Sequence, residues 1–429
     1  MINSNKISLG KLCILGLQHV LAMYAGAVIV PIILGNALSL NQEQITYLVS
    51  ADLLTCGIAT LLQAQGWKNF IGVKLPVIMG CTIIALAPMI AIGKAYGLVA
   101  IYGAIIVSGT LTFFLAPLVG KIMKLFPPVV IGSVITTIGL SLVPLGIKNI
   151  HEGATNCGLY NSTMLGLFVF CMVIMINKYS KNFIRSIAIL LGIIVGTSLA
   201  YSLEMVNFLP IKQATWFRAI QPFHFGLPKF TLSGCIVMCL VTMITTIESI
   251  GIFAALGKIC NQDITKKGII SGIRAEGLAQ IIGAILNAPP HNTFAQNVGL
   301  VVLSKINTRL VAVSSGIILI LLGLIPKFSA LALIIPTPVL GAVMLIMFGM
   351  VAASGIKMLL DVDLENTNNL IVIACSIGIG VGISSVPTLF NGAPELIQIV
   401  FNNGIFVGAL FAIILNVVLN LTGKQDSKI

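Results

Sequence analysis

Residues 289–309 read PPHNTFAQNVGLVVLSKINTR and lie among long apolar segments. Two prolines open the stretch, and Asn292, Thr293, Gln296 and Asn297 follow closely. Proline has no N–H to give a helix. Irregular polar backbone is tolerated at membrane depth only where protein buries it or where it lines a cavity. The stretch is therefore either a loop or a membrane span broken to hold a ligand, and its surroundings favour the second.

Of the 429 residues 58% are hydrophobic and only 8% charged, and the mean hydropathy is +1.08. A soluble domain carries roughly 25% charged residues, so this chain cannot cover a water-facing surface and is an integral membrane protein. The net charge of +12 does not point to nucleic acid, because the basic residues are scattered thinly between apolar runs. The nine cysteines lie almost all inside such runs. No CxxC or Cys/His metal spacing appears, which argues against a disulfide or zinc framework and for cysteines as small core packing residues. No metal and no organic cofactor is expected. The first apolar run follows Lys6 and Lys11 but is long and contains Gln18-His19, so it reads as a retained first span.

A spanning helix needs about 20 apolar residues. Candidates fall near 12–34, 44–64, 71–93, 97–119, 127–147, 162–177, 184–203, 231–256, 268–287, 291–304, 309–326, 329–353, 368–388 and 404–422. With both termini cytoplasmic, 18 of the 24 Lys and Arg fall on the inside and 6 outside. That bias is what the positive-inside rule asks for, and it supports fourteen spans in the cytoplasmic membrane.

The chain also repeats itself. FPPVVIGSVITTIGLSLVPLGIK (126–148) matches IPTPVLGAVMLIMFGMVAASGIK (335–357) at an offset of 209 residues. The match pairs Gly132 with Gly341 and Gly146 with Gly355. These are spans 5 and 12, and an odd separation inverts the second copy. Spans 3 and 10 are also seven apart, and both open with proline-bearing, non-helical pieces. Interrupted segments at matching positions in two halves point to a transporter's binding site. The expected organisation is a first repeat at 1–203, an extracellular linker at 204–230 and a second repeat at 231–429.

Three acids, Asp52, Glu248 and Glu276, fall within spans. Burying a charge in hydrocarbon costs at least about 2.5–3.5 kcal/mol, so such residues are functional candidates. Glu248, in TTIESIG, could accept two N–H bonds from a planar polar ligand or exchange a proton with a cavity. Glu276 suits either a gating role or an ion pair with a nearby Arg or Lys. Asp52 reads as an internal hydrogen-bond anchor. Gln18-His19 could donate to an acid, join a proton path or glue helices together. Gln296 offers both an acceptor and a donor, and Asn297 could bond ligand or broken backbone. Thr82 begins the helical part of span 3, where unpaired N–H groups could meet ligand carbonyls. His151, His224 and His291 read as lying in or beside loops.

Gln296-Asn297-Val298-Gly299, followed by four residues and Ser304-Lys305, resembles the signature of the nucleobase–ascorbate transporter family, also called nucleobase:cation symporter-2. Gln18-His19, the IESIG around Glu248 and an acid 21 residues before Asn297 match in order. SADLLTCGIATLLQ (50–63) and LPVIMGCT (75–82) look like its bacterial xanthine and uric acid permeases. The resemblance implies seven plus seven inverted spans, with a core domain from spans 1–4 and 8–11 and a gate domain from spans 5–7 and 12–14. It implies proton-coupled uptake of a purine nucleobase, xanthine first and uric acid second, often by a dimer. Glu248 would bind substrate, Gln296 would read it, His19 and Asn297 would support the site, and Glu276 would take part in coupling. Family uracil carriers tend to have a glutamate at the position of Gln296, so the amide favours purines. Three departures stand out: Ser304 replaces the usual Thr, Glu276 the usual Asp, and Ile83 takes the place of an aromatic that packs on the ring in uracil carriers.

The alternatives are an anion carrier of the same inverted fold, a uracil permease and a membrane-embedded enzyme. An anion carrier predicts a cationic pocket without a carboxylate. An enzyme would need a nucleophile–base pair or metal cluster, and the spacing reveals neither.

Overall fold

The computed structural model describes residues 8–68, 70–122, 126–152, 158–262, 264–304, 306–386, 389–390, 392, 401 and 404–421, apart from the side chains of residues 121, 122, 152, 158, 159, 296, 303 and 421. The first half contains α1 (Leu9–Ala37), α2 (Gln42–Gln65), strand β1 (Met79–Cys81), α3 (Leu86–Tyr96), α4 (Leu98–Leu115), α5 (Val119–Ile122), α6 (Pro128–Glu152), α7 (Gly158–Tyr179), α8 (Asn182–Ser186) and α9 (Ala188–Ser202). A short α10 (Leu209–Gln213) lies in the linker. The second half contains α11 (Leu232–Cys260), α12 (Lys266–Ile285), strand β2 (His291–Thr293), α13 (Gln296–Ser304), α14 (Arg309–Leu324), α15 (Pro326–Leu333), α16 (Thr337–Leu359), α17 (Thr367–Ser385) and α18 (Gly404–Asn416).

Nine described helices are long and apolar enough to cross a bilayer, and α14 with α15 meets the same measure as a pair bent by 79°. Three shorter apolar helices, Ile83–Tyr96, Ala188–Ser202 and Gly404–Asn420, and the nine-residue α13 complete a helix for each of the fourteen segments. Local chemistry sets the ends. Ser8 and Thr265 cap the N-termini of α1 and α12, and Asn41 and Gln44 form a capping box on α2. One span is divided where the sequence reading has a single helix. The span expected at 329–353 is split, because residues 326–333 form α15 and the next helix starts only at Thr337, after Pro336. Proline fits the first turn of a helix, not its interior.

The inverted repeat is written into the packing. Helices α6 and α16 lie against each other antiparallel. A Cβ on Gly132 would sit 2.9 Å from the Gly355 carbonyl oxygen, and one on Gly341 would sit 2.7 Å from that of Gly146. Gly132 is the repeat equivalent of Gly341, and Gly146 of Gly355, so each contact is the other's mirror under a pseudo-two-fold. The pattern recurs elsewhere. Helix α2 packs on α14 through Gly57 and Gly316, and α4 packs on α12 through Gly109 and Gly277. Small residues that let backbones approach are the means by which helices associate in lipid, where no hydrophobic drive distinguishes protein from solvent.

The two broken spans meet at the centre. β1 and β2 pair antiparallel, with Met79 opposite Thr293, Gly80 opposite Asn292 and Cys81 opposite His291. The ladder continues through Phe294 N–H to the Ile78 carbonyl at 2.9 Å and Thr82 N–H to the Pro290 carbonyl at 3.1 Å. Side chains satisfy the outer edges. Thr60 Oγ1 accepts from Met79 N–H at 3.0 Å, and Gln280 Nε2 donates to the His291 carbonyl at 3.5 Å. Irregular backbone survives at this depth because helices enclose it and complete its bonds.

The glycine contacts carry a test. Gly57→Val would drive a side chain into the α14 backbone and is expected to lose the monodisperse, folded species in detergent size-exclusion chromatography. Gly349→Val, where nothing lies within 4 Å, is expected to keep it.

Candidate functional site

A cavity of about 580 Å³ opens beside the paired strands. Small-molecule sites usually have volumes of about 300–1,000 Å³. One wall comes from the strands and their continuations, with Thr82, Ile83, Asn292, Thr293 and Phe294, together with Glu248 of α11 and Gly26 of α1. The facing wall is Ile135 of α6 and Met347, Met350, Val351 and Ser354 of α16. Asn177, Arg185 and Ser186, at the end of α7 and on α8, form its rim. Phe294 stands over Gly80 and Gly26, at both of which a Cβ would press on its ring. The glycines thereby seat an aromatic face in the cavity wall.

Glu248 lines the cavity and is held by Asn292, whose Nδ2 donates to Oε2 at 3.4 Å. Glu276 is fully buried behind the wall and accepts from Thr293 Oγ1 at 2.7 Å. Thr293 N–H in turn points at Ser249 Oγ, 3.4 Å away. The Arg or Lys partner considered for Glu276 is thus replaced by a hydroxyl, because that residue sits inside the bundle and not at its rim. Thr82 and Ile83 line the cavity, and the Thr82 N–H is already taken by Pro290. His19 and Asn297 are buried together one layer away, where Asn297 Nδ2 donates to the His19 carbonyl at 3.5 Å. Gln18 is half-buried on α1 outside the lining. Gln296 opens α13 next to Ala295, which does line the cavity, but its side chain, like all of Lys305, lies outside the described residues.

His291 is not in a loop. It lies on β2, wholly buried, with Nε2 at 3.2 Å from Asp52 Oδ1 and 3.0 Å from Thr55 Oγ1. Asp52, Cys56 and His291 bring three potential ligand atoms within 4.8 Å of one another. Sequence spacing could not reveal this group, since Thr55 and His291 are 236 residues apart and meet only once the broken span folds back. Asn292 and Phe294 were also missed as site residues. Their one signal was their place in a proline-opened break between long apolar runs.

A family model described as the Permease family, Xan_ur_permease, matches residues 10–389. The chain belongs to that family. It is 47% identical to the nucleobase transporter PlUacP of Paenibacillus larvae, over 97% of this chain and 96% of that one. It is 46% identical to the uric acid permease PucJ of Bacillus subtilis (97% and 94% covered) and 45% identical to the xanthine permease of the same organism (97% and 95%). Among solved structures, the transmembrane domain of a cyanobacterium bicarbonate transporter, BicA, matches with a TM-score of 0.62 at 14% identity, over 89% of this chain and 98% of that one. Murine Slc26a9 in the inward-facing state matches with a TM-score of 0.61 at 12% identity, over 96% and 69%. These likenesses concern the inverted-repeat fold. As a member of the Xan_ur_permease family the protein is a permease, not an enzyme.

Thr293→Val removes the donor to Glu276 with almost no change in volume. Glu276 keeps its bond from Ser249, and the loss of one hydrogen bond costs about 0.5–1.5 kcal/mol, so the purified variant is expected to melt at a modestly lower temperature than the wild type.

Proposed function

We propose that the protein takes up an oxopurine, xanthine foremost and uric acid next, across the cytoplasmic membrane in symport with protons. The observation that carries this reading is Glu248, set in the wall of a cavity with one oxygen held by Asn292. An ionised carboxylate offers about four acceptor sites, so Glu248 keeps capacity for the N–H groups along one edge of a purine. The relatives named as nucleobase, uric acid and xanthine permeases support the same substrate class.

In this reading Phe294 and Ile83 offer the planar ring an apolar surface, Thr82 lies toward its carbonyls, and Gln296 reads the remaining edge. Gln296 as an amide favours a purine over uracil. A small anion would find the Glu248 carboxylate in its way, and the exposed Arg185 at the rim does not make a cationic pocket. Glu248 and Glu276 are the groups suited to hold the coupled proton, since consecutive strand residues, Asn292 and Thr293, tie them together. His19 and Asn297 brace α1 against α13 behind the site. Transport would proceed by alternating access, with α1–α4 and α11–α14 as a substrate-holding core and α6–α9 and α16–α18 as a gate.

The test is uptake of radiolabelled xanthine by cells making the protein, with and without a protonophore, against uric acid, uracil, guanine and hypoxanthine as competitors. The expected result is protonophore-sensitive uptake that uric acid competes and uracil does not. Loss of a hydrogen bond to a charged group is worth about 10–100-fold, and Glu248→Gln is expected to reduce uptake by that order at unchanged membrane level. Uptake of uracil alone, or of no nucleobase by folded protein, would overturn the reading.

A further inference from the structure

The Asp52–His291 contact lies outside the cavity lining, and the proposed function gives it no role. Its burial is complete on both sides, at 0% exposure for each side chain. Polar groups so placed are costly unless they are satisfied. Yet neither Asp52 oxygen makes a well-aligned hydrogen bond among the described residues, and His291 Nδ1 has no partner there either. What His291 does have is a fixed seat. Its Nε2 faces both Thr55 Oγ1 and Asp52 Oδ1, on one turn of α2. The Thr55 hydroxyl spends its own proton on the Ala51 carbonyl at 2.7 Å. It is therefore left to accept, and the imidazole to donate. On the far side the His291 carbonyl takes the Gln280 amide of α12.

The next two residues of the same strand are Asn292 and Thr293, which hold Glu248 and Glu276. A strand of three residues has no helix of its own to fix its depth. A slip of β2 along β1 would move both carboxylate partners at once. Against β1 the backbone pairing sets the register, but against the helices only side chains can.

We propose that Asp52 and His291 are a positioning pair for the substrate site: α2 grips the His291 imidazole and so fixes where Asn292 and Thr293 present the two glutamates. The proposal rests on Glu248 being the substrate carboxylate. Neither Asp52 nor His291 touches substrate; both act through the strand. The pair's signature is thus a loss of substrate affinity, with turnover retained and with the two residues behaving as one unit.

The experiment is a concentration series of xanthine uptake in four variants, with membrane level measured by immunoblot and fold by size-exclusion. His291→Phe keeps the ring volume and removes the donor, and its KM is expected to rise about tenfold with maximal rate per molecule preserved. Asp52→Asn, which removes the ionisable carboxyl and keeps the shape, is expected to act in the same direction. In His291→Gln the amide nitrogen can stand in for the imidazole Nε2, and it is expected to bring KM back to within about threefold of wild type. The double variant Asp52→Asn/His291→Phe should be no worse than the poorer single variant, since residues of one network do not act additively.

An unchanged KM in Asp52→Asn and His291→Phe would overturn the proposal, as would additive losses in the double variant. Stoichiometric divalent metal in the purified wild type would overturn it too, by making Asp52, Cys56 and His291 a metal site. If His291→Phe does not reach the membrane, Asp52→Asn and His291→Gln decide by the same criteria. A wild type that transports no purine defeats the functional reading itself. A transporting wild type with indifferent variants defeats only the positioning pair.

Discussion

A strand of three residues meets every acid that the sequence buries in the membrane. His291 faces Asp52 on α2, Asn292 holds Glu248 on α11, and Thr293 holds Glu276 on α12. Side chains alternate across a strand, so the Asn292 side chain goes to Glu248 on one side while those of His291 and Thr293 go to Asp52 and Glu276 on the other. Each carboxyl would be a severe burden in hydrocarbon. For Glu248 and Glu276 β2 brings a donor, and for Asp52 it brings the His291 imidazole to 3.2 Å. The dependence also runs the other way, because β2 has little hydrogen bonding of its own and is held in place by the helices that carry those acids. The broken span and the intramembrane acids are thus one structural decision.

The pseudo-two-fold makes that decision possible. An inverted repeat places two broken spans head to head, and only then can each satisfy the other's backbone through an antiparallel ladder. The glycine pairs set the approach. Contacts such as Gly57 with Gly316 and Gly109 with Gly277 bring helices close enough for Thr60 on α2 and Gln280 on α12 to reach the strand edges. Replacing any of these glycines would push a helix away from strands that have few other partners.

The architecture was legible in the sequence because its signals are additive over many residues. Hydropathy runs mark the spans, and the 209-residue repeat marks the inversion. Prolines at 76 and 289–290 mark the breaks. Glu248, Thr82 and Ile83 line the cavity for the same reason they stood out, as an acid within a span and the start of a half-helix. What escaped depends on distant pairing. His291 reads as a loop residue because it follows two prolines, and Asp52 reads as an internal anchor without a named partner because that partner lies in the other repeat. Glu276 was given a possible cationic partner because Arg274 is near in sequence, but two residues along a helix point to different faces. The 329–353 boundary failed for a local reason: the apolar run hides a bend at Leu324–Pro326 and a new start at Pro336.

The cavity's two walls differ in kind, and this bears on how alternating access could work. The wall built from the strands, α1 and α11 carries the acid, the amide and the hydroxyls. The facing wall from α6 and α16 is Ile135, Met347, Met350 and Val351, relieved only by Ser354. Polar contacts are directional and are lost within an ångström or so of displacement. Apolar contacts, especially with flexible methionines, re-form as surfaces slide. A ligand bonded to Glu248 would therefore travel with the strands while its other face passed over methionine and valine without a large barrier. Concentrating recognition on one wall leaves the other free to act as a track, and a broken span tied to three helices through their acids is the kind of wall such a mechanism requires.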